Sequence, residues 1–323
     1  MSSPTPLDFE PLIHPLFDPT TSTFTYLIAC SSTLHALVID PVLDFDPATS
    51  RISTTTADSL LSLIRSHNYT IVKILETHVH ADHLTASRYL QTQLEVTSDD
   101  DDDDDGGGDE EKEENDGKNG GIKKKPEICI GKRIVQVQER VAESYGIPRE
   151  EWEGVFDRVF EDEEEFPVGD LRVKVKHLPG HTPDHVGYMV GSNIFCGDSL
   201  FDPEIGSARC DFPGGDAHTL YNSVQTLFSL PAHYKIYTGH DYPSADSRSP
   251  QPYTTVADQK RLNKHLKEGT TKDQFVNWRQ ERDSGLAEPK LLHQALQVNV
   301  RAGRMPRNGT LKVPLKMPGG WKL

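Results

Sequence analysis

Residues 77–83 read Thr77-His78-Val79-His80-Ala81-Asp82-His83, which puts three imidazoles and a carboxylate into six consecutive positions. Neutral imidazole and carboxylate together form a ligand set for Zn or Fe. On an extended backbone His78 and His80, two apart, point the same way. Asp82 and His83 then fall on the turn, aimed at a neighbouring point. A polar loop with chance histidines is the plainer alternative, but H-x-H-x-D-H is far more specific than a lone His. Such a cluster needs further ligands from elsewhere in the chain, and His181, Asp198 and His240 are the candidates.

The elements that must position these groups follow from hydrophobic periodicity. Ile71-Val72-Lys73-Ile74-Leu75-Glu76 is a buried strand that delivers the cluster, and Leu84 to Leu90 has helical spacing, continuing a helix to about residue 94. Two strands, Phe24–Ala29 and Ala36–Asp40, precede them, with a helix marked by Ala57, Leu60, Leu61 and Ile64 between. Residues 1–20 are Pro-rich and read as irregular. Downstream come a strand at 127–130, a helix marked by Ile134, Val137, Val141 and Tyr145, and an alternating strand over 171–176 that runs into Pro179-Gly180-His181. A hairpin around Gly191-Ser192-Asn193 ends at Gly197-Asp198. A helix with Leu220, Val224 and Leu227 leads to the strand Lys235–Thr238, which ends at Gly239-His240. His78, His181, Asp198 and His240 each stand beyond the C-terminal end of an expected strand, where α/β folds gather ligand sites.

A chain of 323 residues can bury a full core. Its formal charge of −16 is concentrated in one place: residues 99–116 hold 13 acidic side chains against one Lys, including seven consecutive Asp. The rest is mildly acidic and offers no basic patch for nucleic acid. The acidic run, within an insertion at about 97–125, lacks apolar residues and is expected to be a disordered extension of a surface loop. Cys30, Cys129, Cys196 and Cys210 form no C-x-x-C pair, so a reducing compartment fits best. There is neither a membrane-length apolar run nor a basic leader, and the cytoplasm is the expected location. Residues 1–254 are expected to form the main domain, with 255–323 a helical C-terminal extension packing on it.

Four motifs now stand in one order: T-H-V-H-A-D-H at 77–83, P-G-H-T-P at 179–183, G-D-S-L-F at 197–201 and G-H-D-Y at 239–242. Over roughly residues 20–245 the chain resembles the metallo-β-lactamase superfamily. The resemblance implies an αβ/βα sandwich of two mixed β-sheets flanked by helices, with a metal site at one edge. It fills all seven of the family's ligand positions: His78, His80, Asp82, His83, His181, Asp198 and His240.

Two forms of that site compete. In a dinuclear zinc hydrolase, His78, His80 and His181 hold one metal and Asp82, His83 and His240 the other. Asp198 bridges them, and a shared hydroxide attacks a thioester or lactone carbonyl. In a mononuclear Fe(II) enzyme the resemblance makes His78, His181 and Asp198 the two-histidine, one-carboxylate triad. His80, Asp82, His83 and His240 then surround it without ligating. Flanking residues resemble the persulfide dioxygenase branch: His80-Ala81-Asp82-His83-Leu84-Thr85-Ala86-Ser87, Arg209-Cys210-Asp211-Phe212-Pro213-Gly214-Gly215-Asp216 and His240-Asp241-Tyr242. Asn299-Val300-Arg301-Ala302-Gly303-Arg304-Met305-Pro306 is similar to a bacterial and fungal subgroup of such proteins. No glutathione-binding helical segment of the hydrolase kind is expected after Tyr242.

The implied reaction converts glutathione persulfide, dioxygen and water to sulfite and glutathione, with one iron per chain; two zincs would serve the hydrolase. Arg209 is the candidate for pairing the substrate carboxylate, or else an internal salt bridge. Thr182 and Tyr242 are candidate donors into the pocket, Tyr242 otherwise an ordinary rim residue. Cys210 reads as a small filler, Cys196 as core and His177 as structural. His185 stands where the family often has a smaller residue and would alter the pocket. A homodimer is the candidate assembly. A third class, a metal-stabilised protein recruiting basic partners through the acidic loop, sits poorly with a site holding more ligands than a structural metal uses.

Overall fold

The computed structural model describes residues 10–95, 125–243 and 248–314. The acidic run and nearly all of the expected 97–125 insertion lie outside them. In chain order the first half comprises β1 (Leu12–Asp18), β2 (Thr23–Ala29), β3 (His35–Ile39), β4 (Val42–Asp46), β5 (Arg51–Ser53), α1 (Thr55–Ser66), β6 (Thr70–Leu75), β7 (Leu84–Thr85) and α2 (Ser87–Gln93). Next come β8 (Glu127–Gly131), α3 (Ile134–Tyr145), β9 (Arg158–Phe160), β10 (Glu165–Val168), β11 (Leu171–His177), β12 (Val186–Val190) and β13 (Asn193–Phe195). The last are α4 (Ala217–Phe228), β14 (Lys235–Tyr237), β15 (Tyr253–Thr255), α5 (Val256–Leu262), α6 (Lys272–Ser284) and α7 (Leu292–Asn299).

Two six-stranded mixed sheets, ordered β1-β2-β3-β6-β8-β9 and β10-β11-β12-β13-β14-β15, pack face to face. The pleat of β2 shows how one strand serves both its faces. Phe24, Tyr26 and Ile28 join Val173, Val175, Tyr188 and Phe195 between the sheets. Leu27 and Ala29 face outward, where Leu60 and Leu61 of α1, Leu90 of α2 and Ala295 and Val298 of α7 cover them. On the opposite face, Ile194 and Ile236 pack under Leu220 and Val224 of α4 and Phe275 and Val276 of α6. The expected αβ/βα sandwich is thus the observed architecture.

Two expectations are corrected. Leu12–Asp18 is an edge strand pairing antiparallel with β2, although residues 1–20 read as irregular; Pro15 is tolerated because an edge strand can spare a donor. Leu84 and Thr85 pair with Leu43 and Val42 instead of opening the helix. Helix α2 starts at Ser87, since Thr85 is drawn into a side-chain bond with the buried Glu76. Strand β15 spans residue 254 and completes the second sheet beside β14. The helical extension therefore continues a sheet strand, and its helices cover both faces of the sandwich. All four cysteines are free and buried. No helix among the described residues is long and apolar enough to cross a membrane.

Candidate metal centre

The loops after β6, β11, β13 and β14 converge at one edge of the sandwich, bringing His78–His83, His181, Asp198 and His240 together. Close approach is built in by glycine. A Cβ on Gly239 would lie 2.4 Å from Asp198 Oδ1, and Gly197, at φ +48°, lies against Thr77. Neither position has room for a side chain.

Ligand atoms of His78, His181 and Asp198 all lie within 4.8 Å of one another, and those of His80, Asp82 and His83 form a second such set. Asp198 spans the cluster, with Oδ2 3.7 Å from His181 Nε2 and Oδ1 3.5 Å from His240 Nε2. Asp82 Oδ2 is 3.3 Å from both His240 Nε2 and His83 Nδ1. All seven expected ligands are brought together.

The protein holds one nitrogen of several rings and leaves the other free, which fixes ring orientation. His181 Nδ1 bonds the Arg209 carbonyl at 2.7 Å, His240 Nδ1 the Ser22 carbonyl at 3.1 Å and His78 Nδ1 the Thr77 hydroxyl at 3.0 Å. His80 Nε2 lies 3.0 Å from Asp40 and 3.6 Å from Glu76. The atoms left over, His78 Nε2, His80 Nδ1, His83 Nε2 and Asp198 Oδ1, are buried with no hydrogen-bond partner. Buried polar atoms in such numbers are rarely left unpaired. Orphaned donor atoms converging from imidazole and carboxylate are what a bound Fe or Zn would satisfy, so the residues fit the group.

Electrostatics agree with this at His78 and Asp82. Burial, then the neighbouring His80, depresses His78 well below the ordinary histidine range, keeping it in the neutral, ligating form. Burial also disfavours charge on His80, but Asp40 and Glu76 outweigh it and raise that ring to about 10. Asp82 is buried as well, yet His240 and His83 hold its carboxyl well below the usual range.

Four supporting residues had no sequence assignment or a different one. Asp40, closing β3 at φ +50°, accepts from the Thr77 amide at 2.7 Å and its hydroxyl at 2.8 Å, besides meeting His80. Glu76 is bonded by the hydroxyls of Thr85 and Ser87. Asp184 accepts from the Val79 amide at 3.1 Å. His185 does not reshape the pocket as expected. It is fully buried, accepts from the Asp198 amide at 3.0 Å and stacks on His78 with centroids 4.7 Å apart. In the sequence His185 stands just after the second motif, and Asp40 just before Pro41.

Outside the cluster a cavity of about 890 Å³ opens, with Asp82, His181, Asp198 and His240 in its lining. Residues beyond Tyr242 supply one wall, Trp278 and Arg282 from α6 and Lys264, His265 and Lys290 from the turns on either side of it. His265 and Trp278 stack at 3.5 Å between centroids. Arg209 lines the cavity, but its guanidinium is spent on Asp211 in a bidentate pair at 2.5–2.6 Å and on the Ala287 carbonyl. The internal salt bridge is the arrangement found. By contrast, Lys264, Arg282 and Lys290 make no ion pair among the described residues. Thr182 is buried near Asp184 and outside the cavity lining. Tyr242 stands at the mouth, its ring stacked on His240 at 5.5 Å. Desolvation, then Asp198 and Asp82, hold its phenol above the ordinary range, so it is a donor. Cys210 and Cys196 are core, and His177 bonds the Pro183 carbonyl at 3.1 Å.

A fold of two mixed sheets between helices, with a histidine- and aspartate-rich cluster at one edge, is matched by known proteins. The profile of the Metallo-beta-lactamase superfamily covers residues 18–240, and the chain belongs to that superfamily. It is 38% identical over 94% of its length to a probable metallo-hydrolase of Burkholderia pseudomallei, covering 98% of that protein. Glyoxylase B2 of Dictyostelium discoideum is 36% identical over 91% of this chain and 93% of its own. The mitochondrial persulfide dioxygenase of Homo sapiens is 26% identical over 90% and 89% respectively. Among solved structures, ETHE1 from Myxococcus xanthus superposes with a TM-score of 0.66 at 27% identity, covering 91% of this chain and all of that one.

Proposed function

We propose that the chain is an iron-dependent persulfide dioxygenase, taking glutathione persulfide, dioxygen and water to sulfite and glutathione. The observation that carries this reading is the buried set His78, His181 and Asp198, two histidines and one carboxylate with mutually close ligand atoms. Similarity to the human persulfide dioxygenase along most of both chains supports it. His78, His181 and Asp198 would hold one Fe(II), which supplies a redox-active centre with open positions for substrate and dioxygen.

The chain's own residues then provide recognition. Lys264, Arg282 and Lys290, in the cavity lining, would offer cations to the carboxylates of the thiol carrier. The His265–Trp278 stack gives its backbone a flat face. Phe212 and Phe201, edge-on to His181 and His240, keep water from the reacting end. Tyr242 can donate a hydrogen bond at the mouth. Arg209 positions His181 through its carbonyl and holds the wall through Ala287, a different part from the expected substrate clamp.

A second reading, a dinuclear zinc thioester or lactone hydrolase, is favoured by the unpartnered His80 Nδ1 and His83 Nε2, which exceed what one iron needs. The names of the metallo-hydrolase and glyoxylase relatives point the same way. Metal analysis of protein purified without oxygen separates the two. One iron per chain with oxygen uptake on glutathione persulfide is expected; two zincs with thioester turnover and no oxygen uptake would overturn the proposal.

A further inference from the structure

The Asn299–Pro306 stretch has no role in the ligand set, yet its first residue reaches the metal loop. Asn299 ends α7 and is 4% exposed. Its carboxamide makes three bonds, all to the backbone that carries His80, Asp82 and His83. Nδ2 donates to the carbonyls of His80 and His83, each at 2.9 Å, and Oδ1 accepts from the Thr85 amide at 2.9 Å. The two carbonyls bracket the turn at Asp82.

We infer that Asn299 is a positioning residue for the metal centre: it fixes the 80–85 turn so that Asp82 and His83 face the cluster. The chemistry asks for this side chain. Two donors are needed for the carbonyls and one acceptor for the amide, a set that an amide supplies and a carboxylate or hydroxyl does not. The neighbouring residues are accounted for by packing. Val300 and Ala302 enter the core with Ile128 and Ile130. Arg301 pairs with Glu151 at 2.8 Å. Gly303, at φ +79°, approaches the Arg88 amide and the Thr85 carbonyl so closely that a Cβ would lie 3.1 and 3.2 Å from them. These contacts seat the end of α7 on the loop, and Asn299 is the polar group aimed into it.

The inference rests on reading the cluster as a metal centre, but not on which metal or reaction. Co(II) is the test probe, since its visible absorption reports ligand geometry without turnover. Asn299→Asp keeps the size and the acceptor but turns an acceptor toward both carbonyls. The matched control is Gln297→Ala, on the same helix, which loses three partly buried bonds to the backbone of His293 and Lys312 and touches no metal-loop atom. Asn299→Asp should weaken Co(II) affinity about ten- to hundredfold, the range for residues that orient ligands, and alter the Co(II) spectrum. Gln297→Ala should lower the melting temperature with affinity and spectrum unchanged. Asn299→Asp with wild-type affinity and spectrum would overturn the role, as would Gln297→Ala weakening Co(II) equally. Should Asn299→Asp fail to fold, Asn299→Ser carries the same comparison with the same expected signs. Wild-type protein that takes up no Co(II) would overturn the metal reading itself, and the positioning role with it.

Discussion

The two halves of the histidine cluster are built differently although one six-residue run feeds both. The half with His78, His181 and Asp198 is held by neutral partners: the Thr77 hydroxyl, the Arg209 carbonyl and the stacked ring of His185. The half with His80, Asp82 and His83 is wrapped in carboxylate, Asp40 and Glu76 behind His80 and Asp82 against His83 and His240. Neutral support leaves the first half ready to ligate through lone pairs. Anionic support makes the second half a place where metal and protons compete. One fold can thus complete a single metal site and still keep the groups of a second in place.

The largest expected effect tests what the halves share. Asp198 touches both, so Asp198→Ala should abolish metal uptake, measured by elemental analysis of the purified protein. Next comes the pair that separates them. His78→Ala should lose the metal, whereas His83→Ala should keep one iron per chain and bind it more weakly; loss of all metal from both variants would show that the halves fill together. Asp40→Asn leaves the ligands and changes their support, and should cost about ten- to hundredfold in metal affinity by competition titration. At the cavity wall, Ala at Lys264, Arg282 or Lys290 should raise KM about two- to fivefold each with kcat unchanged, an effect that fades with added salt. A change in kcat instead would move these residues from recognition to chemistry.

The smallest effect concerns pH. Burial, then Lys264 and Arg279, lowers the His265 pKa from 6.5 to about 4. Between those values the unfolded chain binds a proton that the folded chain does not. The stability this ring contributes is therefore full above pH 6.5 and is lost as the pH falls toward 4. Melting temperatures at about pH 7.5 and about pH 5 should converge less for wild type than for His265→Gln, whose acid-induced drop should be the smaller.

How much of this was legible in sequence follows the same division. The candidate ligands lie in short motifs following strands, and the structure brings all seven to one edge of the sandwich. The sandwich was legible through the resemblance that the four motifs carry, and β2 shows its physical basis, Phe24, Tyr26 and Ile28 alternating with Leu27 and Ala29 between two cores. Supports are scattered through the chain. Asp40, Asp184 and Asn299 act through backbone amides and carbonyls that no residue pattern announces. Edge strand β1 hid behind Pro15, and the short β7 behind a helix-like run. The cavity wall was not legible, because the exposed Lys264, Arg282 and Lys290 look like any solvated surface until tertiary packing turns them toward the site.

The bond from Asn299 to Thr85 joins residues 214 positions apart. During synthesis, strands and histidines of the first third emerge long before the side chain that steadies their loop. Loop closure over that span is entropically costly and comes late. The centre would thus hold metal more weakly until α7 has docked, so metal affinity reports on the packing of a segment more than two hundred residues away in sequence.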